Sequence, residues 1–477
     1  MTQNQVADMK CTAPMVPTLI MIACTNFAAM MNTASVTILL PVFMRQFDTD
    51  IILTQWIVTS YMLATCIVAP VVGYISDRIS LKRTFLVAVC GFGCCNIMLG
   101  FASNIYIMIA MRVFQGIFGG MLIPVSQAMI YQYFPRHQQA KAVSIWATTN
   151  LLAPTLAPSI AGAISDVFGW RYIFLCVVPV MVAILFVAMK LLPSRPAEEQ
   201  PEQHPFDISG LLLSTVGSFC LLLAFSNITV WGLMSAPVIV FTILGFAALV
   251  AFFRVEQKKA FPMLQVKVFS YGSFLSSVVI LCIGSMFINI SNNVLPIFLQ
   301  DIKGFSTTQT ALMLLPAPLT IMFVVPLLGK YYDKIGPYKM LSAILCVGVI
   351  ACFANSMIGL ESSVLFIIIA LILRDMGGGT TTMPATNMGM QAIPTEYATH
   401  AAAVTSWAKQ CAVALAIGLG NTFQTARTQY YVNHTAADYG TCYANAMSDL
   451  FQLIIICYAV GFAALYLAKK KEKNVSI

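Results

Sequence analysis

Five polar residues with the chemistry to bind a ligand or carry a proton lie inside long apolar runs of the sequence. They are Asn32 in MMNTASVTILLP, Arg112 in RVFQGIFGG, Arg374 and Asp375 in LILRDMGGG, and Lys409 in TSWAKQCAVAL. A carboxylate or a lysine can take up and release a proton, an arginine stays charged, and an amide only forms hydrogen bonds. Burying such groups is costly unless they are paired, so these positions are candidate functional residues.

The apolar runs themselves predict a polytopic helical membrane protein. The chain has 477 residues, 59% of them hydrophobic and 9% charged, and its mean hydropathy is +0.83. Soluble domains contain about 25% charged residues. A helix needs roughly 20 apolar residues to cross a bilayer core, and the alternation of an outer-membrane barrel is absent. Fourteen runs qualify: 16–41, 55–75, 84–103, 105–133, 141–167, 171–192, 208–227, 234–253, 271–299, 308–331, 340–360, 364–392, 398–426 and 447–468.

The distribution of Lys and Arg predicts the orientation in the membrane. With the N-terminus in the cytoplasm, 19 of the 26 Lys and Arg residues fall in cytoplasmic segments, 4 in outer segments and 3 within spans. Cytoplasmic loops normally carry this excess, so we expect both termini in the cytoplasm and the chain in the cytoplasmic (inner) membrane. The net charge of +8 then reflects topology and gives no indication of nucleic-acid binding.

Four landmarks of the first half of the chain recur in the second half at offsets between 255 and 262 residues. The pairs are Pro41 and Pro296, Gly73 and Gly329, Arg112 and Arg374, and Pro135 and Pro394. Such a stable offset predicts a tandem repeat of six spans, with spans 7 and 8 inserted between the copies. Facing repeats with a site near the midplane are typical of secondary transporters, and the alternative is a structural duplication without transport.

The repeat divides the chain into five predicted segments. An N-terminal six-helix bundle takes 1–192, a proline-rich acidic linker 193–207, and the inserted helices 7 and 8 with their loop 208–269. A C-terminal six-helix bundle takes 270–468, and a basic cytoplasmic tail 469–477.

The stretch GYISDRISLKR resembles the signature loop between helices 2 and 3 of the major facilitator superfamily, and GKYYDKIGPYK resembles its copy. Ser80 and Leu81 depart from the usual glycine and arginine. The resemblance implies a charge latch that breaks when the two halves rock, and the alternative is simple anchoring of the loop at the cytoplasmic headgroups. The latch residues would be Gly73, Asp77, Arg78, Lys82, Arg83, Gly329, Asp333, Lys334 and Gly336.

Two more stretches resemble motifs of this superfamily. RVFQGIFGG resembles the helix-4 motif, in which the arginine, here Arg112, is linked with proton transfer; a structural hydrogen-bonding role is the alternative. LAPTLAPSIAG resembles the helix-5 antiporter motif and keeps Pro154, Pro158 and Gly162, although alanines replace two of its glycines. Two prolines four residues apart remove backbone hydrogen bonds and predict a kink.

The linker, the inserted helix pair and the stretches GWRYIFLCVVP, HPFDISGLLL and LPIFLQDIKGFSTTQTALMLLP resemble the fourteen-span drug:proton antiporters of the superfamily. The resemblance implies an all-α major facilitator fold of 14 transmembrane helices. In much of this branch helix 1 carries an acid nine residues before its proline, and here that position is Asn32. Lincomycin-resistance-type members also carry this asparagine. An amide cannot titrate, so Asn32 would either bond a substrate or brace helix 1.

A coupling acid would then lie elsewhere, and Asp375 is the one acid well inside a span. If it faces a cavity, burial and a nearby cation shift its protonation in opposite directions, which would suit proton coupling. The alternative is a permanent ion pair with Arg374, Arg112 or Lys409. These four ionisable residues are the candidates for proton coupling.

The resemblance implies a secondary transporter that exports small amphipathic or cationic drug-like compounds by alternating access in exchange for protons. Rival readings are the export of an endogenous metabolite or lipid, uncoupled facilitation, and a non-transporting sensor or enzyme. GGGT at 377–380 lacks the lysine of a phosphate-binding loop. We expect no catalytic site, metal or cofactor, and a monomer in the lipid bilayer. Candidate substrate-cavity residues are Asn32, Met31, Gln115, Trp146, Asn387, Trp407 and Gln410.

Overall fold

The computed structural model describes residues 15–49, 51–69, 71–193, 207–259, 264–435 and 438–475. The described residues form α-helices with a few short 3-10 segments and one π segment, and contain no strand. In the first half the helices are α1 (Met15–Ile38), α2 (Leu40–Phe47), α3 (Ile51–Val68), α4 (Val71–Ile79), α5 (Leu81–Gly100), α6 (Ile105–Tyr133), α7 (Arg136–Phe168), α8 (Arg171–Leu175) and α9 (Val177–Leu191). The inserted and later helices are α10 (Ile208–Ser226), α11 (Ile228–Trp231), α12 (Ala236–Glu256), α13 (Gly272–Ile297), α14 (Thr307–Leu314), α15 (Pro316–Ile335), α16 (Pro337–Ser356), α17 (Val364–Gly378), α18 (Thr382–Gln391), α19 (Ala398–His434) and α20 (Tyr439–Val475).

The helices cover the stretches of the predicted spans. Within the described residues, 12 helical stretches are long and apolar enough to cross a membrane, and the number rises to 14 if each of two bent helix pairs is counted as one span. One pair, Leu53–Val68 and Val71–Ile79, is bent by 58°. The other, Arg136–Ala157 and Ile160–Phe168, is bent by 44°, at the place where the two prolines of the helix-5 motif predict a kink.

The chain forms two compact units. Unit 1 contains Met1–Phe219, Ala248–Val268 and Pro394–Trp407, and unit 2 contains Cys220–Ala247, Phe269–Ile393 and Ala408–Ile477. The predicted segment boundaries stay a prediction. Of the predicted linker, residues 194–206 lie outside the described residues, as do residues 476 and 477 of the predicted tail.

The repeat is visible in the backbone. Helix α5 in unit 1 and helix α16 in unit 2 are both 20 residues long, and their first residues are separated by the same offset of 256 as their last. Each is preceded by a residue in nearly the same left-handed conformation, Ser80 with φ 83° and ψ 151° and Gly336 with φ 80° and ψ 154°. Only glycine adopts this region without strain, so Ser80 occupies a position suited to the usual glycine of the signature loop.

Aromatic side chains brace the core of each unit. In unit 1, Trp170 makes edge-to-face contacts with Phe43 and Phe174 at centroid distances of 5.3 and 6.3 Å. In unit 2, Phe287 makes such contacts with Phe451 and Tyr458 at 6.1 and 5.9 Å. Aromatic pairs of this geometry add to the burial of their apolar surface. They pack α2 against α8 in unit 1, and α13, the first helix of the second repeat, against α20 in unit 2.

Candidate functional site

Asn32 is fully buried in unit 1 and joins three helices. Its Nδ2 donates to Oδ1 of Asn96 on α5 at 3.1 Å, and its Oδ1 accepts from Nε2 of Gln115 on α6 at 3.1 Å. Asn96 in turn donates from Nδ2 to the carbonyl oxygen of Phe92 at 2.8 Å. Both ends of the Asn32 amide are thus bonded to neighbouring protein groups, and the amide connects α1 to α5 and α6.

Arg112 continues this chain of hydrogen bonds on α6. Its Nη1 donates to Oε1 of Gln115 at 2.5 Å and its Nε to the carbonyl oxygen of Ile57 at 3.0 Å. Its Cζ lies 4.3 Å from the ring centroid of Tyr61, a cation–π contact. Nη2 is buried without a hydrogen-bond partner, and no carboxylate among the described residues forms a salt bridge with this guanidinium.

The hydrogen-bond chain from Arg112 to Asn96 contains no group that readily exchanges a proton. Gln115, Asn32 and Asn96 contribute amides, which do not titrate, and a guanidinium keeps its proton under ordinary conditions. The chain can therefore position helices and hold a charge, whereas a carboxylate at position 32 would be needed to make it a proton carrier.

Asp375, the acid well inside a predicted span of unit 2, is paired with a cation. Nε of Arg374 donates to Oδ1 of Asp375 at 2.8 Å, and Nη2 lies 2.7 Å from the same oxygen. Nη1 of Arg374 donates to Oδ1 of Asn292 on α13 at 2.9 Å. Arg374 is 3% exposed and Asp375 5% exposed. Of the three cations that the sequence allowed as partners of Asp375, the structure pairs it with its neighbour Arg374.

The two arginines occupy equivalent positions in the repeat and make related contacts. Arg112 reaches the first helix of its repeat through Gln115, whereas Arg374 reaches the first helix of the second repeat directly at Asn292. The residue equivalent to Gln115 is Gly377, where an added Cβ would lie 2.3 Å from a backbone atom of helix α16. The second repeat therefore has no room for a bridging glutamine at that position.

Lys409 on α19 stands apart from both networks. Its side chain is half-buried, and within the described part of the chain it forms no hydrogen bond and no ion pair. An ammonium group has three donors, so Lys409 presents an unneutralised charge inside a predicted span.

The signature loop of unit 1 binds the beginning of α19. Oδ2 of Asp77 lies 2.7 Å from Nε2 of His400, and because a carboxylate can only accept, Nε2–H donates. His400 is 1% exposed, and its Nδ1 has no hydrogen-bond partner. A Cβ on Gly73 would lie 2.3 Å from that Nδ1. Gly73 is therefore required for the close approach of the histidine ring.

The other predicted latch residues make different contacts. Nζ of Lys82 donates to the carbonyl oxygens of Met189 and Leu192 at 3.0 and 2.6 Å, so it caps the end of α9. Arg78 lies over the ring of Tyr74 at 5.4 Å. The side chains of Arg83, Asp333 and Lys334 are exposed and pair with no other described residue, while Gly329 is buried. The loop copy of unit 2 thus lacks a contact equivalent to that between Asp77 and His400.

A comparison with known proteins decides the family. The sequence matches the model of the Major Facilitator Superfamily over residues 22–417. The chain belongs to this superfamily. It is 25% identical over 408 residues to the lincomycin resistance protein LmrB of Listeria monocytogenes, covering 85% of this chain and 86% of LmrB. It is 27% identical over 345 residues to the multidrug export protein EmrB of Haemophilus influenzae, covering 71% of this chain and 66% of EmrB.

The fold agrees with solved structures of the superfamily. The human organic anion transporter MFSD10 superposes with a TM-score of 0.63 at 14% identity, covering 93% of this chain and 99% of that one. At this identity the likeness shows the fold alone. The predicted major facilitator fold and the resemblance to lincomycin-resistance-type members are confirmed. The protein is a multi-pass membrane protein of a transporter family, and this family points to transport and not to catalysis.

The candidate cavity residues of this major facilitator protein are distributed over both units. In unit 1, Trp146 is buried with an unpartnered Nε1, and Nε1 of Trp407 donates to Oγ of Ser218 at 2.8 Å. Met31 is half-buried. In unit 2, Asn387 is fully buried and Gln410 is half-buried. No group of three or more His, Cys, Asp or Glu in the described residues could hold a metal ion.

The helix-5 motif contributes close packing through its alanines. Ala153 and Ala157 are fully buried, whereas Pro154 is exposed. A Cβ on Gly162 would meet no atom within 4 Å, so close packing in unit 1 does not require this glycine. The side chain of Pro158 lies outside the described residues.

At the start of α10, a buried charge cluster joins the end of the linker to the end of α12. Lys259 forms a salt bridge with Asp207, and the amide of Gly210 donates to Asp207 at 2.8 Å. Burial alone would raise the pKa of the Asp207 carboxyl, but hydrogen bonds from Glu256, Lys259 and Gly210 hold this pKa well below its usual value. The cluster fixes the first inserted helix and was not singled out from the sequence.

Three residues of these networks were missed by sequence reasoning. His400, Asn96 and Asn292 each bond a residue that the motifs did single out. Polarity within an apolar run was the available signal for Asn96 and Asn292, but the chain contains many such amides. For His400 the signal was its place a few residues after the span-ending Pro394, at the beginning of the next predicted span.

Proposed function

We propose that the protein is an efflux transporter that exports small amphipathic compounds across the cytoplasmic membrane by alternating access. The observation that carries this proposal is the pair of buried arginines at equivalent repeat positions. Each is bonded through amides to the first helix of its repeat. Ionisable groups inside the membrane usually mark substrate or proton pathways. The similarity to the lincomycin resistance protein LmrB and to the multidrug export protein EmrB supports outward transport.

The proposed orientation places both termini in the cytoplasm, since 19 Lys and Arg residues would lie on that side and 4 outside. The signature loop around Asp77 and the beginning of α19 then lie at the cytoplasmic face. Their contact would hold that face in one state, and its loss would accompany the change to the other.

Proton exchange, in this proposal, uses Asp375. Protonation would neutralise its carboxylate and release Arg374, which already reaches Asn292 on α13. A change in the charge state of Asp375 would thus alter a contact between two helices of unit 2. One proton moving inward down 100 mV supplies about 2.3 kcal/mol for export.

A second candidate, an uncoupled facilitator, is favoured by one observation. Asn32 occupies the position of the helix-1 acid and is bonded at both ends of its amide, to Asn96 and Gln115. The chain of hydrogen bonds in unit 1 then has no proton to exchange, and a substrate could cross without one.

Reconstituted liposomes with a pH-sensitive dye inside test both candidates. Ethidium, lincomycin and a non-fluorescent organic anion would be added to the wild type, to Asp375→Asn and to the matched control Asp449→Asn, whose acid is paired with Arg427 instead. Substrate-dependent proton movement that is lost only in Asp375→Asn supports exchange at Asp375. Substrate movement without proton flux, equal in all three proteins, supports the facilitator. Failure of every compound to cross contradicts export of amphipathic compounds.

A further inference from the structure

The charges well inside the predicted spans do not balance. Arg112, Arg374 and Lys409 are cationic, and among the described residues Asp375 is the one carboxylate that lies well inside a predicted span. Asp375 is already bonded to Arg374. Each unit therefore retains one cation without a carboxylate partner, Arg112 in unit 1 and Lys409 in unit 2.

The two remaining cations differ in their surroundings. Arg112 is fully buried and is stabilised by a carbonyl oxygen, an amide and the ring of Tyr61. The half-buried ammonium of Lys409 has no hydrogen bond and no ion pair in the described part of the chain. Placing an unneutralised ammonium in a membrane span is costly, and three free donors suit an anionic group. Lys409 is therefore the better candidate for binding a ligand.

We propose that the exported compound carries a negative charge, such as a carboxylate, and that Lys409 binds this group. This inference rests on the proposed export function. It replaces the expectation of cationic compounds with that of anionic ones. The next residue in the sequence, Gln410, is also half-buried and carries an amide that can donate a hydrogen bond.

An anionic substrate also accounts for the absence of an acid in helix 1. The membrane potential, negative inside, drives an anion outward, so export needs no proton. Export of a monovalent cation runs against this potential and requires at least one inward proton, which Asp375 alone would have to carry because Asn32 cannot titrate. If Asp375 does exchange a proton, anion export in one direction and proton entry in the other both move net positive charge inward, and the potential drives both.

The test uses proteoliposomes loaded either with carboxyfluorescein, an organic anion, or with ethidium, an organic cation. A potassium gradient with valinomycin sets the potential, and release is followed by fluorescence. The variants are Lys409→Gln and Lys409→Arg, with the exposed Lys258→Gln as the matched control. We expect an inside-negative potential to accelerate carboxyfluorescein release. We expect Lys409→Gln to slow this release about tenfold, since a hydrogen bond to a charged group is lost, and Lys409→Arg and Lys258→Gln to retain most of it.

Each of the other outcomes contradicts a specific part of the proposal. Release of ethidium without carboxyfluorescein refutes the anionic substrate while export stands. Equal carboxyfluorescein release by the wild type and Lys409→Gln refutes the role of Lys409. Release of neither probe refutes export of small amphipathic ions and this inference with it. Because Lys409→Gln removes a charge from the membrane interior, it is expected to fold, and Lys409→Met provides a second uncharged variant for the same comparison.

Discussion

Asp77 and His400 are 323 residues apart in sequence and 2.7 Å apart in the structure. The carboxylate belongs to the signature loop after helix 2, and the imidazole belongs to the third residue of α19. The contact lies within unit 1 and combines an exposed acid, 53% accessible at its side chain, with a fully enclosed ring. Solvent screens the acid and reduces the strength of the pair, so it can break without a large cost, as a latch requires.

The contact is expected to appear as a coupling in a double-mutant cycle. Asp77→Asn and His400→Gln should each lower the stability of the purified protein, and the double variant should lose less than the sum. The expected coupling is about 0.5–1 kcal/mol, because one partner is exposed. Thermal unfolding in detergent measures it, and strictly additive losses would show that the pair contributes nothing. Asp333→Asn serves as the control, since the equivalent acid of unit 2 pairs with no described residue.

Gly73→Ala is expected to displace His400. The new Cβ would lie 2.3 Å from Nδ1 of the ring, which is fully enclosed and has little space to move. Overpacking of this kind costs about 1–3 kcal/mol, and the hydrogen bond to Asp77 should be lost with it. Gly162→Ala is the matched control, because its Cβ meets no atom within 4 Å, and a helical alanine is favoured over glycine by about 0.5–1 kcal/mol. Equal effects of the two substitutions on unfolding temperature would contradict the proposed packing.

Much of the fold was predictable from the sequence because a bilayer imposes one simple rule. Backbone groups in lipid must bond within their own segment, so apolar runs of sufficient length become helices, and the 14 spans follow. The bend near Pro158 was predictable because proline lacks the backbone N–H that the helix requires. The repeat was predictable because four landmarks, such as Gly73 and Gly329, recur at nearly one offset, and the helices that follow Ser80 and Gly336 keep the same offset in the structure.

The hydrogen-bond partners of the candidate site residues were not predictable in the same way. Asn96 and Asn292 are recognisable as functional neighbours only when helix packing places them beside Asn32 and Arg374. The sequence allowed three cations as partners of Asp375, and the rotamers of adjacent side chains decided for Arg374. Contacts between helices that are distant in sequence depend on the rotation of each helix about its axis and on its depth in the membrane. Hydropathy determines neither of these.

Ser80→Gly is expected to stabilise the protein. Ser80 has φ 83° and ψ 151°, a conformation that costs a residue with a Cβ about 1–3 kcal/mol. Its hydroxyl accepts one long hydrogen bond from the backbone amide of Arg83 at 3.4 Å. This weak bond offsets little of the conformational cost. A gain of about 1 kcal/mol in the free energy of unfolding is therefore expected. The reciprocal change Gly336→Ser should destabilise the equivalent corner of unit 2 by a similar amount, and a loss in the first variant would refute the strain.

Asn32→Ala is expected to destabilise unit 1 strongly. It leaves Oδ1 of Asn96 and Nε2 of Gln115 buried without their partner, and each such loss costs about 1–3 kcal/mol. The control is Asn293→Ala, since the Asn293 amide donates only to a carbonyl oxygen of its own helix. If both variants unfold at the same temperature, the amide does not brace helix 1. A stable Asn32→Ala that no longer transports would instead favour direct substrate contact.

The Asp207 cluster predicts an acid-dependent loss of stability. Its folded-state pKa lies below the unfolded value of about 3.9, because hydrogen bonds from Glu256, Lys259 and Gly210 outweigh the effect of burial. A depressed pKa contributes stability that is fully present above the unfolded value and is lost as the pH falls toward the folded one. The wild type should therefore lose stability below about pH 4 more steeply than Asp207→Asn, while both should be flat with respect to this group between pH 5 and 7. Unfolding temperatures measured from below pH 4 to pH 7 provide the comparison, with the exposed Glu361→Gln as the control. Parallel acid profiles for the wild type and Asp207→Asn would contradict the ionised pairing of Asp207 with Lys259.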